Sequence, residues 1–278
     1  MNDDLSRRLD EILGSLGRVA VAFSAGADST LLLARALRVL GPAHVLAVTA
    51  DSPTLPRSEL AEARALASEL GARHRVIATD ELEEPAFAEN STDRCFFCKR
   101  TLFRRMAALA AEVGGLCLVY GATADDLGDH RPGMRAAREA GARAPLLEAG
   151  LGKADVRRLS REMGLRTWDK PATACLSSRF PYGSPITREG LARVEAAEAA
   201  LRGEWGLRQV RVRELDGSAR LEVEPQDLPR LVAEPLREQV VERLKALGYR
   251  YVTLDLQGFR SGSMNEGLAP AARAGTGA

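Results

Sequence analysis

Cys95 and Cys98 stand three residues apart in Cys95-Phe96-Phe97-Cys98-Lys99, and another thiol, Cys175, lies in KPATACLSSRFPYG, residues 170–183. A Cys-x-x-Cys pair can be a redox couple, half of a zinc site or part of an iron–sulfur site. Zinc usually takes four ligands. The fourth cysteine, Cys117, falls in the middle of the apolar run LCLVY, where a buried, inert thiol is expected. That leaves Cys95, Cys98 and Cys175, and three thiolates would leave one iron of a cubane cluster open to an outside ligand. Cys175 sits among small residues, two serines and an arginine, an electropositive setting that favours thiolate.

A second signature lies near the N-terminus. The apolar run 19–23 leads directly into Ser24-Ala25-Gly26-Ala27-Asp28-Ser29-Thr30 and then an apolar helical stretch. Small residues let backbone N–H groups approach an anion, the helix N-terminus adds partial positive charge, and the hydroxyls add donors. The loop is neither a Walker A motif nor a GxGxxG fingerprint. Read more plainly, it is a capped helix after a strand. A further cluster, Gly121-Ala122-Thr123-Ala124-Asp125-Asp126 followed by Asp129-His130-Arg131-Pro132-Gly133, follows the fourth apolar run. Carboxylates there suit magnesium or hydroxyl groups, or form a solvated acidic loop.

The elements that must position these residues read as βαβα. Runs 19–23, 45–49, 75–78 and 116–120 are short and apolar, as strands buried on both faces should be. Stretches 30–40, 57–70 and 99–113 carry helical periodicity, and a further helix covers 153–163. The fold class is α/β: a doubly wound parallel sheet with ligands at the carboxyl ends of its strands, over residues 1–167. From Trp168 the pattern changes to a helix over 188–202, strands 209–214 and 219–224 around a Leu-Asp-Gly-Ser turn, helices 227–232 and 236–247, and a strand 251–256. This is a second, smaller α+β domain over 168–260. Residues 261–278 have little to bury and are expected to be a disordered tail.

Composition narrows the function classes. With 39 basic and 38 acidic residues the net charge is +1, so nothing demands a polyanionic partner. No run reaches the roughly 18 apolar residues of a membrane span, and the start lacks an export signal, so a cytoplasmic location is expected. Four cysteines are too few for a secreted disulfide scaffold of this length. Of the basic residues only Lys99, Lys153, Lys170 and Lys245 are lysine, so each retained lysine invites a reason.

The loop at 24–30 resembles the SGGxDS loop of the PP-loop ATP pyrophosphatases, with an adenine nucleotide alpha hydrolase-like fold. That resemblance implies ATP held by Ser24, Ala25, Gly26, Ala27, Asp28, Ser29 and Thr30, with Thr49, Gly121 and Asp125, and magnesium held on the phosphates by Asp28. Ala25 stands where the family usually has a second glycine. It keeps the N–H donor and is acceptable unless that position needs positive φ.

DRCFFCK, KPATACLSSRFPYGSPIT and GFRSGSMNE together resemble the LarE family of ATP-dependent sulfur transferases, over nearly the whole chain. The resemblance implies adenylation of a carboxylate of pyridinium-3,5-biscarboxylic acid mononucleotide and replacement of its oxygen by sulfur, in synthesis of the nickel-pincer cofactor of lactate racemase. In one branch the cysteine matching Cys175 sacrifices its own sulfur. In the other, three cysteines, here Cys95, Cys98 and Cys175, hold a 4Fe-4S cluster that carries a sulfide, and this sequence fits that branch. Homo-oligomers and partner enzymes of cofactor synthesis are implied as well.

An anionic substrate needs cations. Arg211 and Arg213 alternate on one strand and share a face, to grip a phosphate or form a solvated charged face. Lys99, Asp126, Arg131, Ser178 and Arg179 complete the expected substrate site. Glu195 and Glu198 share a helix face and suit salt bridges. The competing reading within the superfamily is a tRNA thiolase. Balanced charge and 5% aromatic residues count against it, and no nucleic acid or membrane partner is expected.

Overall fold

The computed structural model describes residues 2–128, 132–171, 173–260 and 263. The expected tail, apart from Ser263, and the site candidate Arg131 lie outside the described residues. By contacts the chain divides into two compact units, Met1–Glu81 with Asp93–Ala174, and Leu82–Thr92 with Cys175–Ala269.

The first part of the chain runs α1 (Asn2–Leu16), β1 (Val19–Ala22), α2 (Ala27–Leu40), β2 (Val45–Asp51), α3 (Arg57–Glu69), β3 (Arg73–Ala78), α4 (Pro85–Ala88), α5 (Arg94–Glu112), β4 (Cys117–Tyr120), α6 (Pro132–Glu139), α7 (Pro145–Glu148) and α8 (Lys153–Glu162). The four strands form a wholly parallel sheet in the order β3-β2-β1-β4, with Val19 opposite both Val45 and Cys117. Their alternation serves two cores. Val19, Val21, Val45 and Ala47 join an apolar cluster with Leu9, Leu13, Leu31, Leu32 and Leu159, while Ala20, Leu46 and Val48 join one with Leu102, Phe103 and Met106 of α5. Helices therefore cover both faces, as a parallel sheet requires. The strand order reverses between β1 and β4, which puts a topological switch point at their carboxyl ends.

Several helices depart from the sequence reading: α1, α4, α6 and α7 have no counterpart in it, and α5 starts earlier. α1 was not anticipated as an element. Its Leu9 and Leu13, four apart, are wholly buried, each side chain contributing about 1.5–3 kcal/mol by burial, and Asp10 pairs with Arg35 of α2 at 2.6 Å. α5 starts at Arg94 and not at Lys99, because Phe96 extends the buried stripe of Phe103, Met106 and Ala110 back by two turns. The Cys-x-x-Cys pair thus lies within the first two helical turns.

The second unit contains α4, α9 (Arg188–Trp205), β5 (Val210–Leu215), β6 (Ser218–Val223), α10 (Leu228–Val232), α11 (Leu236–Ala246) and β7 (Tyr251–Leu254). β5 and β6 are an antiparallel hairpin turned by Asp216 and Gly217, both at positive φ (50° and 77°), as the sequence suggested, and β7 adds in parallel to β6. Val210, Val212, Ala219, Leu221 and Val223 face a core completed by α9 and α11. Among the described residues no helix is long and apolar enough to cross a membrane.

Candidate functional site

Residues 24–30 join β1 to α2 at the switch point. Gly26 occupies the N-cap position in extended geometry with no side-chain cap, so the first turn of α2 presents its amides without an internal stand-in. Ser29 Oγ braces the loop, donating to Gly26 O at 3.2 Å and lying 3.1 Å from Ser24 Oγ. Thr30 Oγ1 is buried without a hydrogen-bond partner. Asp28 lies in the helix's first turn. Such a loop fits a phosphate group. Ala25 has φ of +56° and is wholly buried, so the position does demand the backbone that glycine adopts freely, and the alanine is held there by its surroundings.

Gly121 ends β4 against this loop. A Cβ on it would lie 3.0 Å from Ser29 N and 3.1 Å from the Asp28 carbonyl carbon, so a side chain there would have to push the loop back. Thr49 is buried, and its hydroxyl donates to Phe23 O at 2.7 Å. Having spent its proton there, it accepts from His74 Nε2 at 2.9 Å. Burial, with a smaller contribution from Arg64, lowers the pKa of His74 and keeps the ring neutral. Asp125 Oδ2 accepts from Lys153 N at 2.6 Å and closes the start of α8, while Asp126 Oδ2 accepts from Thr123 N at 2.9 Å. Both carboxylates thus shape the loop after β4.

Cys95 and Cys98, three apart at the start of α5, share one face of it, Cys95 exposed and Cys98 half-buried. Cys98 Sγ donates to Glu81 Oε1 at 3.5 Å. Glu81 is a buried carboxylate that also takes Ser52 Oγ at 2.8 Å. Lys99 is exposed, and α6 starts close beside it: a Cβ on Gly133 would fall 2.9 Å from Lys99 Cγ. Cys117 opens β4 and is half-buried, where a buried mid-strand thiol was expected; burial still raises its pKa against the opposing pull of Arg143. No cysteine is in a disulfide, and among the described residues no three His, Cys, Asp or Glu side chains gather as a metal site.

In the second unit Cys175 precedes a tight turn, Leu176–Arg179, with its Sγ 2.8 Å from Ser177 Oγ. Arg179 is wholly buried. Its fork clasps Glu198 through Nε (2.7 Å) and Nη2 (2.8 Å), and Nη1 donates to Cys175 O (3.0 Å) and Ser178 Oγ (2.9 Å). Arg213 clasps Glu222 in the same way and donates to Ser178 O at 2.6 Å. Two buried ion pairs therefore fix the turn that carries Cys175.

Arg211 and Arg213 do share a face, yet that face is not solvated: they are 6% and 5% exposed. Arg213 is committed to Glu222, whereas Arg211 donates to Val210 O at 3.1 Å and stacks on Phe259. Burial first, then Arg179, against the attraction of Glu198, brings the pKa of Arg211 down to about 10. A cation destabilised in this way is a ready receptor for an anion. The structure thus joins Cys175, Ser178, Arg179, Arg211 and Arg213 in one cluster. Sequence reasoning missed Glu81, His74, Ser177 and Glu222; only Glu222, directly opposite Arg211 on the paired strand, left a readable signal.

No protein-family profile matches the chain. It is 43% identical over 260 residues to an uncharacterised protein of Synechocystis, covering 94% of this chain and 96% of that one. A protein of Methanocaldococcus jannaschii, also uncharacterised, is 27% identical over 88% of this chain and 91% of its own. The pyridinium-3,5-bisthiocarboxylic acid mononucleotide synthase of Lactiplantibacillus plantarum is 42% identical over 259 residues, 93% of either chain. That degree of identity, sustained across both units, shows that the chain belongs to the LarE family.

Proposed function

We propose that this sulfur transferase binds ATP on the loop at residues 24–30, adenylates a carboxylate of pyridinium-3,5-biscarboxylic acid mononucleotide, and replaces the oxygen with sulfur for a nickel-pincer cofactor. The observation that carries the reading is Arg211, a buried, destabilised cation in the cluster that fixes the Cys175 turn. A substrate with two carboxylates and a phosphate supplies the charge that this cluster lacks. Support for ATP comes from the uncapped start of α2, the buried Thr30 hydroxyl and the close approach of Gly121.

Adenylation has a simple rationale. A carboxylate oxygen is a poor leaving group; attack on the α-phosphorus expels pyrophosphate and leaves an acyl adenylate. A sulfur nucleophile then adds to the acyl carbon, and AMP departs with the C–O electron pair. Magnesium, with Asp28 as its protein ligand, would screen the phosphates. Two thiols on one face of α5 suit two ligands of a 4Fe-4S cluster, with Cys175 the third, and such a cluster would supply a sulfide. The protein is proposed to act in the cytoplasm as a homo-oligomer beside other enzymes of cofactor synthesis, with residues 1–167 and 168–260 as its domains and without nucleic acid.

Single-turnover reaction of anaerobically reconstituted protein with ATP and the pyridinium substrate tests this. Pyrophosphate, AMP and the thiocarboxylate should appear together, with iron and sulfide bound and Cys175 intact by mass spectrometry. Dehydroalanine at position 175 without iron would replace the cluster by sacrificial transfer. Tight, salt-sensitive tRNA binding with no reaction on the pyridinium substrate would favour the tRNA thiolase and overturn the proposal.

A further inference from the structure

Lys170 is one of four lysines among 39 basic residues. Its Nζ donates to the carbonyl of Ala25 at 3.2 Å and pairs with Glu59 Oε2 on α3 at 2.7 Å; the two side chains are 19% and 18% exposed. Glu59 Oε1 accepts from Thr173 Oγ1 at 3.5 Å, and Lys170 N donates to Thr167 O at 3.1 Å. Lys170 and Thr173 therefore tie their stretch of chain to α3, and Lys170 ties it to the loop at 24–30 as well. The carbonyl that Lys170 grips belongs to the one loop residue with a left-handed backbone, a conformation an L-residue keeps only when its surroundings impose it. A compact ammonium directs donors from a single nitrogen to the carbonyl and the carboxylate, where a guanidinium would spread them over a wider plane.

We propose that Lys170 is a positioning residue: it holds Ala25 in its left-handed conformation and couples the phosphate loop to segment 167–174, whose next residue in the chain is Cys175. The inference rests on the reading of the loop as an ATP site. If docking of the segment favours the loop shape that binds nucleotide, then nucleotide must favour docking of the segment by the same factor. Nucleotide on the loop thereby orders the peptide that leads into the sulfur-bearing turn.

The test uses the full chain and α,β-methylene-ATP, which cannot release pyrophosphate. Hydrogen–deuterium exchange is followed in peptides covering 167–174 and α2. In the wild type, saturating analogue should slow exchange at 167–174 by at least about fivefold. Lys170→Met should bind the analogue about 3–10-fold more weakly and, when saturated, protect α2 as the wild type does while leaving 167–174 unprotected. A merely structural lysine would not separate the two peptides. Equal protection of 167–174 in Lys170→Met and wild type, or no protection in a wild type that binds the analogue, overturns the coupling alone. A wild type that binds no analogue overturns the ATP reading and the coupling with it. Should Lys170→Met not fold, Glu59→Gln carries the test: it should lose at least about half of the protection, and full protection refutes the coupling.

Discussion

Replacing Glu198 with glutamine strikes the support of the Cys175 turn. Oε1 accepts from Arg179 Nε at 2.7 Å and Val212 N at 3.1 Å, and Oε2 from Arg179 Nη2 at 2.8 Å and Arg202 Nη2 at 2.7 Å. Whichever oxygen becomes an amide nitrogen, two donors lose their acceptor, and Arg179, Arg202 and Arg211 lose a shared counter-charge. The Arg179 and Glu198 side chains are 1% and 2% exposed, so breaking the pair should cost about 3–5 kcal/mol. Arg202 is 39% exposed and one turn from Glu198 on the same helix; Arg202→Gln should cost only about 0.3–0.5 kcal/mol. Urea unfolding in a Trp168→Phe background, with Trp205 of α9 reporting the second unit, measures both. A loss below about 1 kcal/mol for Glu198→Gln, or one no larger than that of Arg202→Gln, would refute the reasoning. The pH dependence gives a second check. Burial works against the charge of Glu198, but the Arg179 fork, aided by Arg202 and Arg211, wins and holds its pKa below the usual range. Its stabilisation is complete above the unfolded value of about 4.3 and is lost as pH falls through the lowered folded one. Glu198→Gln should abolish that part of the acid sensitivity.

Other expectations are shorter. Arg211→Met should leave thermal stability unchanged or raised, since the charge it removes costs the fold at neutral pH, while KM for the pyridinium substrate rises about 10–100-fold; an unchanged KM would remove Arg211 from the site. Gly121→Ala should cost about 1–3 kcal/mol by overpacking against Ser29 and Asp28 and weaken nucleotide binding in calorimetry, whereas unaltered affinity would show that the loop tolerates displacement. Iodoacetamide at neutral pH should label exposed Cys95 well before Cys117, whose thiol burial keeps protonated; peptide mass spectrometry showing equal rates would contradict that environment.

The parallel sheet was legible because strands buried on both faces must be short apolar runs, as 19–23 and 45–49 are. The junction at 24–30 was legible as a strand-to-helix loop because small residues and hydroxyls there separate an apolar run from a helical stretch. α5 starts earlier than its sequence suggests since Cys95 and Lys99 obscure a stripe that Phe96, buried beneath Arg135, continues. The left-handed backbone of Ala25 could not be seen, because composition reports which residue is present and not which φ its neighbours impose. Arg211 and Arg213 were found by their period of two, but their burial depends on Glu198 and Glu222, placed by tertiary structure. Glu81 and Asn90 left no pattern, as single polar residues buried by partners far along the chain.

Asn90 bears on how the protein is made. At φ of +58°, and wholly buried, it donates through Nδ2 to the carbonyls of Phe180, Pro181 and Ser184, the last of them 94 residues downstream. Those carbonyls follow the Cys175 turn, and Leu82–Thr92 belongs to the second unit. A ribosome adding about 5–20 residues per second emits this segment roughly 5–20 seconds before its acceptors exist. Residues 82–92 therefore wait unpacked for their acceptors, and the second unit, which runs on through β7, closes only once most of the chain has been translated. A fragment beginning at Cys175 would lack that piece altogether, leaving three carbonyls without the amide that gathers them.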